Sequence, residues 1–227
     1  MKKLELIPLL GIPEVKPNDN ISLLIKKSLK KTKINLKNND LIVIAHKIIS
    51  IAENRFVDID SIKPKKKAIS LAIKTGISPE MCQLILENSK RIIKFKKNLI
   101  ISENNLGIIT ANAGIDSSNI SKKESVILLP VNPNKSAKKI VNQLNNNTKR
   151  NLGVIISDSV GRPWRYGLTQ ISIGSYGILP IKKYSKDLYG TTLFDTDVPI
   201  TDELASAAGL LMEKDIGVPV VLIRGYN

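Results

Sequence analysis

Two apolar runs in this chain each lead into an aspartate with a serine directly after it. Residues 106–110 lead through Ala111-Asn112-Ala113-Gly114-Ile115 into Asp116-Ser117-Ser118-Asn119, and residues 152–156 lead into Ser157-Asp158-Ser159. Each reads as a buried strand with a carboxylate at its mouth. Carboxylates delivered from two strand ends can converge on one hard cation, Mg²⁺ or Mn²⁺, that keeps positions open for phosphate oxygens. The other reading makes Asp116 and Asp158 turn or helix-cap residues, as Asp-Ser pairs often are. Spacing alone leaves both open.

The residues just after the second aspartate add recognition chemistry. Gly161-Arg162-Pro163-Trp164-Arg165-Tyr166-Gly167 gathers the only tryptophan and two of the few arginines into one expected loop. Planar guanidinium forks suit phosphate or carboxylate groups, so Arg162 and Arg165 are expected to grip acidic parts of a substrate. Trp164 is expected to pack one edge of the pocket. His46, the only histidine, stands with Lys47 at the end of an expected strand over residues 41–45. One histidine without cysteine partners does not make a zinc site. The single Cys82 excludes an internal disulfide, and its helical neighbours Leu84, Ile85 and Leu86 point to a buried, inert thiol. No Gly-x-x-x-x-Gly-Lys-Ser/Thr and no Gly-x-Gly-x-x-Gly occurs, so a nucleotide would be held without a P-loop or a dinucleotide fingerprint.

Taken together, the stretches 112–119 and 157–167 and the run Asp187-Leu188-Tyr189-Gly190 resemble the coenzyme F420-0:γ-glutamyl ligase family, most of all its bacterial members. The resemblance runs from Pro8-Leu9-Leu10-Gly11-Ile12-Pro13 to Val220-Val221-Leu222-Ile223-Arg224-Gly225, effectively the whole chain. It implies a two-lobed α+β subunit that dimerises through its sheets. It also implies GTP-dependent addition of L-glutamate to F420-0, with an acyl phosphate formed on the way and two divalent ions at the triphosphate. K⁺ is a further candidate ion. On the same basis Asp116 and Asp158 hold the first metal and Ser159 helps to hold the second. Gly11, Ile12, Pro13, Glu14, His46, Lys47, Asn119, Met212 and Lys214 would meet the nucleotide. No Ser-His-Asp or Cys-His constellation is needed for such chemistry.

Two departures from the family pattern stand out. Where many members have Ser-Lys-Ala-Glu-Gly-Arg, this chain has Ser50-Ile51-Ala52-Glu53-Asn54-Arg55, so isoleucine replaces a lysine used near the nucleotide. Losing such a charge-assisted contact would cost on the order of 1.5–3 kcal/mol unless Lys47 or another lysine substitutes. In Leu211-Met212-Glu213-Lys214-Asp215, Glu213 stands where relatives commonly have glycine. It reads either as a ligand of the second metal or as the solvated end of the preceding helix.

The elements that must position these residues are set by hydrophobic period and punctuation. Strands are expected at residues 4–8, 41–45, 91–95, 99–102, 106–110, 152–156, 170–173 and 218–223. Helices are expected at 21–29, capped by Asn18, Asp19 or Asn20; from Pro64 to 73, ended by Gly76; from Pro79 to 87, capped by Ser78; and at 136–144 and 202–212. The asparagines at 145–147 read as a surface connection. Strands and helices mix without a regular βαβ rhythm, which makes the class α+β with mixed or antiparallel sheets. Residues 1–227 read as one ligase domain, and a division into two intertwined lobes is implied by the family alone.

Composition bounds the rest. At 42% hydrophobic residues, with no apolar stretch near membrane-spanning length, the chain is neither disordered nor a membrane span. Its start carries an acid inside the apolar run, unlike a signal peptide, which makes the cytoplasm the expected compartment. Lys and Arg number 35 against 20 Asp and Glu, a net +15. Arginine occurs only at Arg55, Arg91, Arg150, Arg162, Arg165 and Arg224, and the remaining cations are lysines accompanied by abundant Asn and Ile. Those are residue types that AT-rich codons favour. The lysine runs lack interleaved aromatics and match no nucleic-acid module, so small anionic substrates are expected rather than nucleic acid. A nucleotide- or nucleic-acid-binding protein without catalysis is the reading from a different class.

Overall fold

The structure is a computed structural model, and it describes residues 3–117, 125–145 and 150–226. In chain order the elements are β1 (Glu5–Pro8), α1 (Ile21–Lys31), β2 (Leu41–Ala45), α2 (His46–Ala52), β3 (Phe56–Asp58), α3 (Lys66–Thr75) and α4 (Pro79–Glu87). Next come β4 (Ser89–Lys96), β5 (Leu99–Asn104), β6 (Ile109–Ala111), β7 (Ser125–Ile127), α5 (Pro133–Leu144), β8 (Gly153–Arg162) and β9 (Arg165–Tyr176). The last are β10 (Lys182–Lys183), β11 (Asp197–Val198), α6 (Ile200–Gly209) and β12 (Val220–Arg224). The class is α+β.

A five-stranded mixed sheet in the order β1-β12-β2-β8-β9 carries the site. Only β2 and β8 run parallel; the other neighbours are antiparallel. The sheet is buried on both faces, which explains why its inner strands read as continuous apolar runs. Alternation divides them. Ile42, Ile44, Val154, Ile156, Val220 and Leu222 pack toward α1, α2 and α5, whereas Leu41, Val43, Ile155, Val221 and Ile223 pack toward α6. A second core gathers Ala68, Leu71, Cys82, Ile85 and Ile100 where α3 and α4 cover the three-stranded sheet β4-β5-β6. Cys82 is fully buried there, and burial pushes its thiol up from the ordinary value, as suits an inert residue.

One ion pair ties the C-terminal strand to the start of β2. Arg224 donates from Nε to Asp40 Oδ1 at 2.9 Å and from Nη2 to Asp40 Oδ2 at 2.7 Å, and the Lys37 amide donates to Oδ2 as well. Asp40 is 1% exposed. The hydrogen bond to Asp40 raises the Arg224 pKa above its ordinary value. Removing either partner would strand a buried charge, at about 3–5 kcal/mol.

Several local expectations hold, and some boundaries move for visible reasons. Asn20 caps α1, and Ser78 caps α4 with Pro79 in its first turn. α5 begins at Pro133 rather than 136 because Asn132 accepts from the Lys135 amide and caps it there. The 106–110 run is not one strand: Asn104 Oδ1 accepts from the Leu106 and Ile108 amides, turns the chain, and leaves β6 to start at Ile109. No helix among the described residues is long and apolar enough to cross a membrane.

Candidate functional site

The parallel pair β2 and β8 builds the site from its register. Ala45 lies opposite Ser157, so the next residues, His46 and Asp158, emerge side by side at the carboxyl ends of the paired segments. A crevice outside such ends is where open α/β sheets bind ligands. His46 Nε2 stands 3.2 Å from Asp158 Oδ1; the histidine side chain is buried, at 6% exposure, and the aspartate is partly buried, at 13%. A carboxylate only accepts, so Nε2 carries the proton; Nδ1 faces the Ser50 hydroxyl at 3.4 Å, one helical turn along α2. Asp158 is not at the end of its strand, as expected from sequence. It lies within β8, immediately after a register shift at Ile156/Ser157 that redirects the side chains.

Asp116 arrives by a different route. After β6 the backbone takes three successive left-handed residues, Asn112, Ala113 and Gly114. Gly114 is required twice over, since its φ is +75° and an added Cβ would lie 2.7 Å from Leu129 Cδ1. The turn delivers Asp116 to an antiparallel bridge with Ile127, its amide donating to the Ile127 carbonyl at 3.0 Å and its carbonyl accepting at 2.8 Å. There Lys47 Nζ pairs with Asp116 Oδ2 at 2.9 Å. Consecutive residues of α2 thus address the two aspartates, His46 to one and Lys47 to the other.

Both aspartates line one cavity of about 610 Å³, within the range of small-molecule sites. Ile12, Pro13, Glu14, His46, Lys47, Ser159, Met212, Glu213 and Lys214 share its wall, which brings most of the residues expected from sequence to one place. Gly11 is outside the lining, and Asn119 lies outside the described residues. Glu213 is exposed beyond the end of α6 yet faces the cavity.

The arginines behave differently. β8 runs on to Arg162 and turns through Pro163 and Trp164 straight into β9, so the expected loop is the tip of a long hairpin. Trp164 is 100% exposed, and neither Arg162 nor Arg165 lines the cavity of its own chain. Proline and glycine suggested a loop, but the pairing of the flanking residues carries the tip outward. Trp164 therefore packs no edge of this cavity.

The structure also places Ile51, the departure from the family lysine, and adds residues that sequence reading passed over. Ile51 lines the cavity while packing on the main core. Gln170 lies opposite Ser159 across the hairpin and donates from Nε2 to Ser159 Oγ at 2.8 Å. It fits because Gly209 of α6 has no side chain; a Cβ there would fall 2.6 Å from Gln170 Cγ. Ser157 Oγ and Gln170 Oε1 are buried in this cavity wall with no hydrogen-bond partner among the described residues. Only Ser157 had a signal in the sequence, its place beside Asp158. Among the described residues no group of three His, Cys, Asp or Glu side chains is gathered for a closed metal cage.

The model of the family described as F420-0:Gamma-glutamyl ligase matches residues 10–225. The chain belongs to that family. It is 45% identical over 195 residues to the "Coenzyme F420:L-glutamate ligase" of Methanocaldococcus jannaschii, covering 85% of this chain and 78% of that protein. It is 42% identical over 226 residues to the protein of the same name from Methanothermobacter thermautotrophicus, covering 98% and 89%. A more distant relative so named, from Archaeoglobus fulgidus, is 33% identical over 228 residues, with 99% and 89% covered. These F420-0:γ-glutamyl ligase relatives are archaeal, so the particular likeness to bacterial members finds no support in them.

Proposed function

We propose that this chain is a GTP- and divalent-metal-dependent ligase that joins L-glutamate to coenzyme F420-0 through an acyl phosphate. The observation that carries the reading is the convergence of Asp116 and Asp158, from separate elements, on one cavity with Ile12–Glu14, Lys47 and Met212–Lys214. Among the described residues four carboxylates, those of Glu14, Asp116, Asp158 and Glu213, line the space where a polyanion would bind on this reading. A triphosphate is tolerated there once cations stand between.

The donor set fits a hard cation. It is oxygen-rich, its two central carboxylates come from rigidly bridged backbone, and the orphaned Ser157 and Gln170 oxygens add unspent acceptor capacity. Magnesium and manganese suit such a site because they use one or two carboxylates and complete their shells with water and phosphate. Asp116 and Asp158 would hold the first ion, with Ser159 and Glu213 toward a second. Bound there, the ions neutralise charge on the transferring phosphoryl group. K⁺ belongs to the same proposal, with no residue assigned to it.

The chain's own residues supply position. His46 fixes the Asp158 carboxylate, and Lys47, paired with Asp116, offers an ammonium to a phosphate. The substrate carboxylate oxygen attacks the γ-phosphorus and GDP leaves; the glutamate amine then attacks the acyl carbon, losing a proton as inorganic phosphate departs. Gln170 holds Ser159 for this work. The reading includes a homodimer, supported by the long edge strand β9, the exposed Tyr166 and Leu168 on it, and the exposed Trp164 at the hairpin tip.

The test is direct. Asp116→Asn and Asp158→Asn should each abolish product formation from F420-0, L-glutamate, GTP and Mn²⁺, followed by mass spectrometry, with an unchanged circular dichroism spectrum. Near-normal turnover by both variants would remove the site.

A further inference from the structure

Behind the wall formed by residues 112–115 lies a second, smaller cavity of about 100 Å³. Among the described residues its lining holds one cation, Arg55, three asparagines and apolar residues, with no acidic side chain. Asn104 is 2% exposed. Its Oδ1 is engaged by the amides of Leu106 and Ile108, both at 3.0 Å, which fixes the orientation of the side-chain amide. Nδ2 consequently points away from those partners, buried and without an acceptor among the described residues. An unsatisfied buried donor is costly and calls for an explanation.

Arg55 supplies the second half. It is half-buried, and its Nε donates to the Leu129 carbonyl at 3.0 Å, which anchors the guanidinium plane. Among the described residues its terminal nitrogens make no hydrogen bond and no ion pair with a carboxylate. Two kinds of donor, one charged and one neutral, therefore face the same small space with no acceptor supplied by the described residues. A planar oxyanion satisfies both, and a carboxylate matches the fork of an arginine. The space exceeds that of a single water several times over, enough for a carboxylate and its adjoining carbon.

We propose that Arg55 and Asn104 form the subsite that takes a carboxylate of the incoming amino acid. The proposal rests on the ligase reading above and names where its acceptor amine is anchored. Ile115 lines both cavities, and Asp116 comes next in the larger one. An acidic amino acid held by one carboxylate beside Arg55 presents its amine past Ile115, toward the activated acyl group. Neutral amino acids of the same length share the α-carboxylate, so discrimination between the two carboxylates of glutamate is not required of this subsite.

The discriminating variant is Asn104→Asp. The retained oxygen still accepts from Leu106 and Ile108, while the new one offers Arg55 an internal carboxylate and closes the subsite against an external anion. The KM for L-glutamate should rise about tenfold or more, with the KM for GTP unchanged and the thermal midpoint unchanged or higher. Arg55→Lys, which keeps charge but loses the fork, should raise the same KM. In the unmodified protein with GTP bound, titrating L-glutamate should shift the Asn104 Nδ2 and Arg55 Nε resonances. Those resonances staying fixed at saturating L-glutamate, or an unchanged KM in both folded variants, would show a water-filled cavity and overturn the proposal. Absence of any L-glutamate binding by the unmodified protein would instead remove the ligase reading, and this subsite with it.

Discussion

At the scale of single residues, Ile51 is where this chain parts from its family's lysine, and the structure places it in the cavity wall with its side chain packed on the main core. Lys47 is one turn earlier in α2 and already engages Asp116. A lysine at 51 would keep its aliphatic stem on the core and extend its ammonium into the cavity, as long cationic side chains do. Ile51→Lys should therefore lower the KM for GTP by roughly tenfold, equivalent to about 1.4 kcal/mol, with less change in kcat. A KM that is already low and does not improve would show that Lys47 fills both roles. The cavity-facing place of Ile51 could not be read from its own run, Ile48-Ile49-Ser50-Ile51, because α2 is short and starts without a gap from β2. Nothing in that sequence marks where strand period gives way to helix period.

Among the elements, the strands and helices with strong punctuation were legible: Asn20, Ser78 and Pro79 announce their helices, and the apolar runs of β2, β8 and β12 announce a sheet buried on both faces. The β8–β9 hairpin was not, because its tip carries Pro163 and Gly167 and its register decides everything that matters. Only that register sets Gln170 against Ser159. The same limit applied to Asp187-Leu188-Tyr189-Gly190, legible as a motif but not as a device. The Asp187 carboxylate accepts from the Thr191 amide at 2.8 Å and the Tyr189 amide at 2.9 Å, closing a turn that the Lys186–Thr192 bridge continues. The Thr191 amide, then that of Tyr189, holds the carboxyl below the usual range. A depressed carboxyl supports its turn at pH values above its unfolded value of about 3.9, and that support is lost as pH falls through the lower folded value. Amide resonances of Tyr189 and Thr191 should thus stay fixed from neutrality down to about pH 4 and move only below it. Asp187→Asn should abolish that acid-limb titration, and movement beginning near neutrality would refute the assignment.

For the whole molecule, charge and exposed apolar surface point in different directions, and packing decides between them. The net +15 is spread over solvated lysines, with Lys65, Lys66 and Lys67 exposed at the start of α3 and Lys96 and Lys97 exposed at the end of β4. Exposed large hydrophobics such as Ile73, Val131 and Leu210 stand apart along the chain, but one stretch is dense in them. Trp164, Tyr166, Leu168, Leu179, Leu188, Tyr189 and Phe194 all fall between the hairpin tip and the segment after β9. β9 is also a sheet edge of twelve residues, a liability that proteins usually cover. A second copy of this chain covers it in the proposed dimer, and the outward hairpin then brings Arg162 and Arg165 to the interface rather than to their own cavity. Sedimentation at micromolar concentration should accordingly report a dimer. Trp164→Ser combined with Tyr166→Ser should shift it toward monomer, because aromatic side chains at the centre of an interface carry about 2 kcal/mol or more each. The two positions are fully exposed within one chain, so the variant should keep its thermal midpoint at the low concentration where both forms are monomeric. A monomeric unmodified protein, or a dimer indifferent to both substitutions, would move the interface off this edge and return Arg162 and Arg165 to solvent.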